Sequence, residues 1–130
     1  MMNDPNPVIR RRRGFLAGPG VTLLRRLAAG NRINLNTFRA RDGLSGCLLG
    51  HLAASPVLRA DGWRFVNGVP CWAGLMGVAA ASAYFGLDRA RALDLFGNPR
   101  ESRAPSLEAR FLEMEAIIHC DMPNDVKRAI

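Results

Sequence analysis

Ala73-Gly74-Leu75-Met76-Gly77-Val78-Ala79-Ala80-Ala81-Ser82-Ala83-Tyr84-Phe85-Gly86 is the stretch on which the fold turns. It predicts a helix over 73–85, ended by Gly86. Gly74, Gly77, Ala80, Ala81 and Ala83 are small enough for another element to approach closely, so this helix is expected to be the most buried one. On its C-terminal side, Asp88 caps a helix over 88–96 that Gly97 and Pro99 close. Ser106 then caps a helix over 106–119, with Leu107, Phe111, Met114 and Ile118 inward and Glu108, Arg110, Glu113 and Glu115 in solvent.

On the N-terminal side, Trp63-Arg64-Phe65-Val66, Asn67-Gly68 and Val69-Pro70-Cys71-Trp72 predict a hairpin, because Asn-Gly suits a two-residue type I′ turn. Pro70 restricts its arm to an edge position. Further back, a helix is predicted over 45–55, capped by Ser45 and followed by Pro56. Residues 31–44 read as irregular, with Ile33 and Leu35 alternating as in a short strand. A helix over 20–29 stops at Gly30, with Arg25 and Arg26 pointing away from its apolar face. Residues 1–18 hold early proline steps and four consecutive arginines, and read as a flexible basic arm. The expected fold is mainly α: about five short helices with a small β-hairpin near 63–72, in a single helical domain over 19–130.

Composition sets the outer limits. A chain of 130 residues, 48% hydrophobic and 22% charged, is the size of one globular domain. Three cysteines without paired spacing argue against a disulfide framework and for a reducing, cytoplasmic setting. Arg12-Arg13-Gly14-Phe15-Leu16 is similar to a twin-arginine export motif, but Gly18, Pro19 and Gly20 interrupt the apolar run behind it, and Arg25 and Arg26 end it. No segment approaches the ~20 apolar residues of a membrane span.

Charge is concentrated at one end. Residues 1–41 hold nine arginines (Arg10, Arg11, Arg12, Arg13, Arg25, Arg26, Arg32, Arg39 and Arg41) against one acid, Asp4. The other 89 residues hold nine basic and ten acidic side chains, so the formal net charge of +7 is a local property. Only Lys127 among the 18 basic residues is a lysine. The flat guanidinium fork suits phosphate or carboxylate, although a GC-rich genome produces the same bias with no function attached.

The stretches Leu24-Arg25-Arg26-Leu27-Ala28, Asn34-Leu35-Asn36-Thr37-Phe38-Arg39 and Gly46-Cys47-Leu48-Leu49-Gly50-His51-Leu52-Ala53 carry a resemblance. It continues through Ser55-Pro56, Ala60-Asp61-Gly62 and Ala83-Tyr84-Phe85-Gly86-Leu87 to Ala92-Leu93-Asp94-Leu95-Phe96. Over roughly 23–97 the chain resembles a family of small bacterial and phage-borne proteins with a "C-G-T-x-x-C-x-x-G-H-A … F-G-L … A-x-x-L-F" pattern. The resemblance implies a setting in bacterial chromosomes and mobile elements, and no mechanism. Asp42 stands where the family has its first cysteine and Leu44 where it has threonine, while Gly43 and Cys47 are kept. A role that needs both cysteines is therefore excluded here.

Cys47 and His51 lie four residues apart near a helix N-terminus, where a thiol can be activated. A cysteine hydrolase also needs a facing, oriented histidine base, and no Asn or Asp is recognisably placed to orient His119. Cys47, His51, Cys71 and either His119 or Cys120 would make the four N/S ligands zinc favours, but only Cys47 and His51 are paired in spacing. The residue two beyond His51 is Ala53, not the glutamate of a zinc deaminase. Walker-type loops and dinucleotide fingerprints are lacking. The chain is expected to be non-catalytic, with no cofactor or metal, and with cysteines that pack as small apolar residues.

The nine N-terminal arginines remain. They predict a binding module that contacts nucleic acid or a nucleoprotein complex, mostly through backbone phosphate. The alternative is a phage- or mobile-element-borne inhibitor, of the anti-CRISPR or other anti-defence type, that occupies a surface of a host defence protein.

Overall fold

A computed structural model describes residues 7–35 and 47–119. The chain is mainly helical with one small antiparallel sheet. Pro7 opens α1 (Pro7–Phe15), where its fixed φ and missing N–H cost nothing at a helix start. A π-helical turn over Leu16–Gly20 joins α1 to α2 (Val21–Ala29), and Phe15, Gly20 and Val21 all keep right-handed helical angles. The wider turn lets the helix pass Pro19, which lacks the N–H to continue a normal ladder.

This corrects the expected flexible arm. Of residues 1–18, those from 7 onward are helical, and Ile9, Arg13 and Leu16 are buried. Their spacing (i, i+4, i+7) forms one helical stripe facing the core. Gly20 permits close contact there, since a Cβ would lie 3.3 Å from Leu52 Cδ2.

Ile33 forms an isolated bridge and no strand. Helix α3 (Leu48–Ala53) is shorter than the helix expected over 45–55, and Ser45 lies outside the described residues. Cys47 caps it, its Sγ accepting from the Gly50 N–H at 3.3 Å. Ser55 ends α3 by donating to the Leu52 carbonyl, and its Oγ also caps α4 (Pro56–Ala60). Pro56 therefore begins a helix that sequence reasoning missed.

The hairpin pairs β1 (Arg64–Val66) with β2 (Val69–Trp72), Val66 opposite Val69. Asn67 and Gly68 have φ of 52° and 80°, as a type I′ turn requires. A second turn of the same kind follows at Ala73 (φ 54°) and Gly74 (φ 80°), and adds β3 (Leu75–Met76). This corrects two expectations. Residues 73–76 are turn and strand, not helix, and β2 is the central strand, not an edge. Pro70 is tolerated because β3 pairs only with Cys71 and Trp72; the ladder stops at the residue that has no N–H to extend it.

Helix α5 (Gly77–Phe85) ends at Gly86 in the left-handed conformation. Five of its nine residues are buried, against five of six in α3, so α3 is the more buried helix and Ala83 is exposed. Asp88 caps α6 (Arg89–Phe96), its Oδ1 accepting from the Arg91 N–H. Ser106 caps α7 (Leu107–Glu115), which tightens into a 3-10 turn over Ile117–His119. The tightening turns Ile117 inward and leaves Ile118 exposed, reversing the expected inner face there.

Arg110, expected in solvent, is 2% exposed. Its Nη1 donates to the carbonyls of Leu95 and Gly97 at the end of α6, groups that the helix itself leaves without partners. One hydrophobic cluster takes buried side chains from α2 through α7, and the partly buried Phe15 of α1 packs against it. Leu16, Leu24, Leu49, Leu52, Phe85, Leu95 and Met114 lie at its centre.

Candidate functional site

The nine candidate arginines divide by environment. Arg13 is 5% exposed, and it donates from Nε to the Phe85 carbonyl at 2.8 Å and from Nη2 to the Gly86 carbonyl at 2.5 Å. A cation at a helix C-terminus meets the negative end of the peptide dipoles, and here it also satisfies carbonyls that α5 cannot.

Arg12 packs its guanidinium 4.2 Å from the Tyr84 ring centroid and 4.9 Å from that of Trp72, and its Nη1 donates to the Tyr84 carbonyl. Asp61 completes the cluster, with Oδ2 3.9 Å from Arg12 Nε and accepting from the Tyr84 hydroxyl at 2.5 Å. Burial, together with that hydrogen bond, pushes the Tyr84 phenol up, so it stays neutral and donates.

Arg25 lies over Phe111 and pairs with Glu108 at 2.6 Å and Glu115 at 3.4 Å. The Arg25 hydrogen bond holds the Glu108 carboxyl below the usual range. These acids of α7 are exposed, as expected, but they serve to tie α7 to α2. Arg10, Arg11, Arg26 and Arg32 are exposed, and Arg39 and Arg41 lie outside the described residues.

Of the candidate metal and catalytic residues, Cys47, His51 and Cys71 are engaged in hydrogen bonds. Burial pushes the Cys47 thiol up, the opposite of thiolate activation, and its sulfur caps α3. His51 Nε2 donates to the Arg32 carbonyl at 2.9 Å. Cys71 Sγ donates to the Val69 carbonyl within its own strand. The His119 side chain and Cys120 lie outside the described residues. Among the described residues, no group of three or more His, Cys, Asp or Glu side chains is placed to hold a metal ion, and no helix is long and apolar enough to cross a membrane.

Two surface hollows were missed by sequence reasoning. The first, of about 310 Å³, crosses the sheet and is lined by Arg64, Val66, Cys71, Trp72, Leu75 and Met76. Val66, Leu75 and Met76 are exposed apolar side chains. The signal for it was the second residue-glycine step, Ala73-Gly74, which repeats Asn67-Gly68 and folds the chain back once more. The second hollow, of about 260 Å³, is walled by Asp88, Arg91, Asp94, Arg103 and Glu113. Asp94 accepts there from the Arg103 backbone and guanidinium, which hold its carboxyl below the usual range.

The sequence matches no protein-family model and no curated protein, and the fold matches no solved structure.

Proposed function

We propose that this protein is a cytoplasmic, non-catalytic binding module that contacts nucleic acid or a nucleoprotein complex with its N-terminal helical region. The observation that carries this reading is the division of the arginines. Arg12 and Arg13 are engaged within the fold, and Arg25 is neutralised by Glu108 and Glu115. Arg11, Arg26 and Arg32 remain exposed, on a stretch (residues 1–41) whose only acid is Asp4. Guanidinium groups presented from helices and the segment just after them grip phosphate without reading sequence, so the contact is mainly electrostatic.

A second reading, an inhibitor borne by a phage or mobile element that occupies a host defence protein, is favoured by the exposed apolar side chains of the sheet hollow. Fluorescence anisotropy of a labelled duplex of arbitrary sequence, titrated with the protein at about 50 mM salt, tests the first reading. Saturable binding that weakens steeply with added salt supports it. Undetectable binding at that salt removes it.

A further inference from the structure

The hollow over the sheet owes its shape to two successive type I′ turns. They lay three short strands side by side, so that Arg64, Cys71 and Met76 form one straight cross-strand row. Val66 shares the face of Arg64, two residues along β1. The buried Cys71 lies in that row with Val66 and Met76 exposed beside it, while the exposed Leu75, opposite Trp72, borders the hollow from the other side of β3. Met76 is the most exposed of them at 53%, and its flexible thioether can adapt to different apolar shapes. Arg64 is the one charged residue in the lining.

That lining selects its occupant by chemistry. An apolar segment alone would leave Arg64 without a counter-charge, and a basic one would meet it with like charge. A second copy of the chain, docked through the same lining, would set its own Arg64 against this one with like charge. A segment that sets a carboxylate beside a bulky apolar side chain satisfies both features, with the fork of Arg64 suited to the carboxylate.

We propose that the groove across the three-stranded sheet, lined by Arg64, Val66, Leu75 and Met76, docks a short acidic-apolar peptide segment of a partner protein. None of the exposed arginines of α1 and α2 lines this surface, so peptide docking and nucleic-acid binding are tested by different variants.

The test is selection from a random linear-peptide library on the intact protein, followed by affinity measurement of the most enriched peptide against parent, Met76→Asp and Arg64→Glu. Met76 occupies the cap position of α5 without a side-chain cap bond. Met76→Asp therefore supplies a favoured capping carboxylate while it removes apolar surface, and it is expected to melt at or above the parent temperature. Arg64 is exposed, so Arg64→Glu is expected to fold as the parent does.

The expected result is enrichment of peptides with Asp or Glu next to Leu, Ile, Phe or Trp, and about tenfold weaker binding of the best peptide by each variant. Four outcomes would overturn the proposal. Selection could yield nothing, or peptides without acids; binding could be unchanged by both variants; the parent could prove to be a dimer that Met76→Asp dissociates; or Arg64→Glu and Met76→Asp could weaken duplex DNA binding while leaving peptide binding intact.

Discussion

Arg11 and Arg13 are two positions apart in one run of four arginines, yet Arg11 is exposed and Arg13 is enclosed by α1 and the end of α5. Helical periodicity makes the difference, because Arg13 falls in the row of Ile9 and Leu16. Arg13→Ala leaves the Phe85 and Gly86 carbonyls without their donors and opens a void beneath α1. A loss of about 2–4 kcal/mol in a urea titration is expected, against a change within about 0.5 kcal/mol for Arg11→Ala. Asp94 offers a test by pH. Its hydrogen bonds to Arg103 depress the folded-state pKa, so its contribution is present above the ordinary aspartate value of about 3.9 and fades as pH falls through the lower folded value. Asp94→Asn is expected to reduce stability at neutral pH and to flatten the fall in melting temperature below about pH 4; an acid limb as steep as the parent's would show that the pair is not felt.

At the scale of elements, the helix that begins at Pro7 and runs through the π turn to Ala29 decides whether the N-terminus is arm or core. Deleting residues 1–18 removes Ile9, Arg13 and Leu16 together. The expected outcome is loss of a cooperative thermal transition, seen by circular dichroism; a truncated chain that melts like the parent would contradict the packing of α1. Charge obscured this in the sequence. A run of four arginines reads as solvated, and the helical stripe shows only once an arginine is admitted to it. Arg110 is hidden in the same way beside Phe111 and Met114. The hairpin was legible because Asn67-Gly68 states its turn in the residues that occupy it, and the caps at Asp88 and Ser106 were legible for the same reason. β3 was not, because alanine is a poor occupant of the left-handed angles Ala73 adopts, and Leu75-Met76 continues smoothly into a helical pattern. Of the candidate site, the concentration of arginine could be read directly. Its division into inward and outward side chains needed the helix geometry, and the sheet groove needed β3.

For the molecule as a whole, that division separates two sets of side chains. The N-terminal region supplies arginines that fasten α1 to the end of α5 and to Trp72, and it leaves Arg11, Arg26 and Arg32 exposed. The two roles separate by mutation, because Arg11, Arg26 and Arg32 are exposed while Arg12 and Arg13 hold the fold. The most direct measurement is a salt series of duplex DNA binding for the parent and for the triple variant Arg11→Gln, Arg26→Gln and Arg32→Gln, with melting curves for both. Each phosphate contact contributes about 0.9 to the log-log salt slope, so the variant is expected to lose about 2.7 of it while melting as the parent does. An unchanged slope would contradict the assignment of these arginines to the interface, and a variant that unfolds would contradict the division itself.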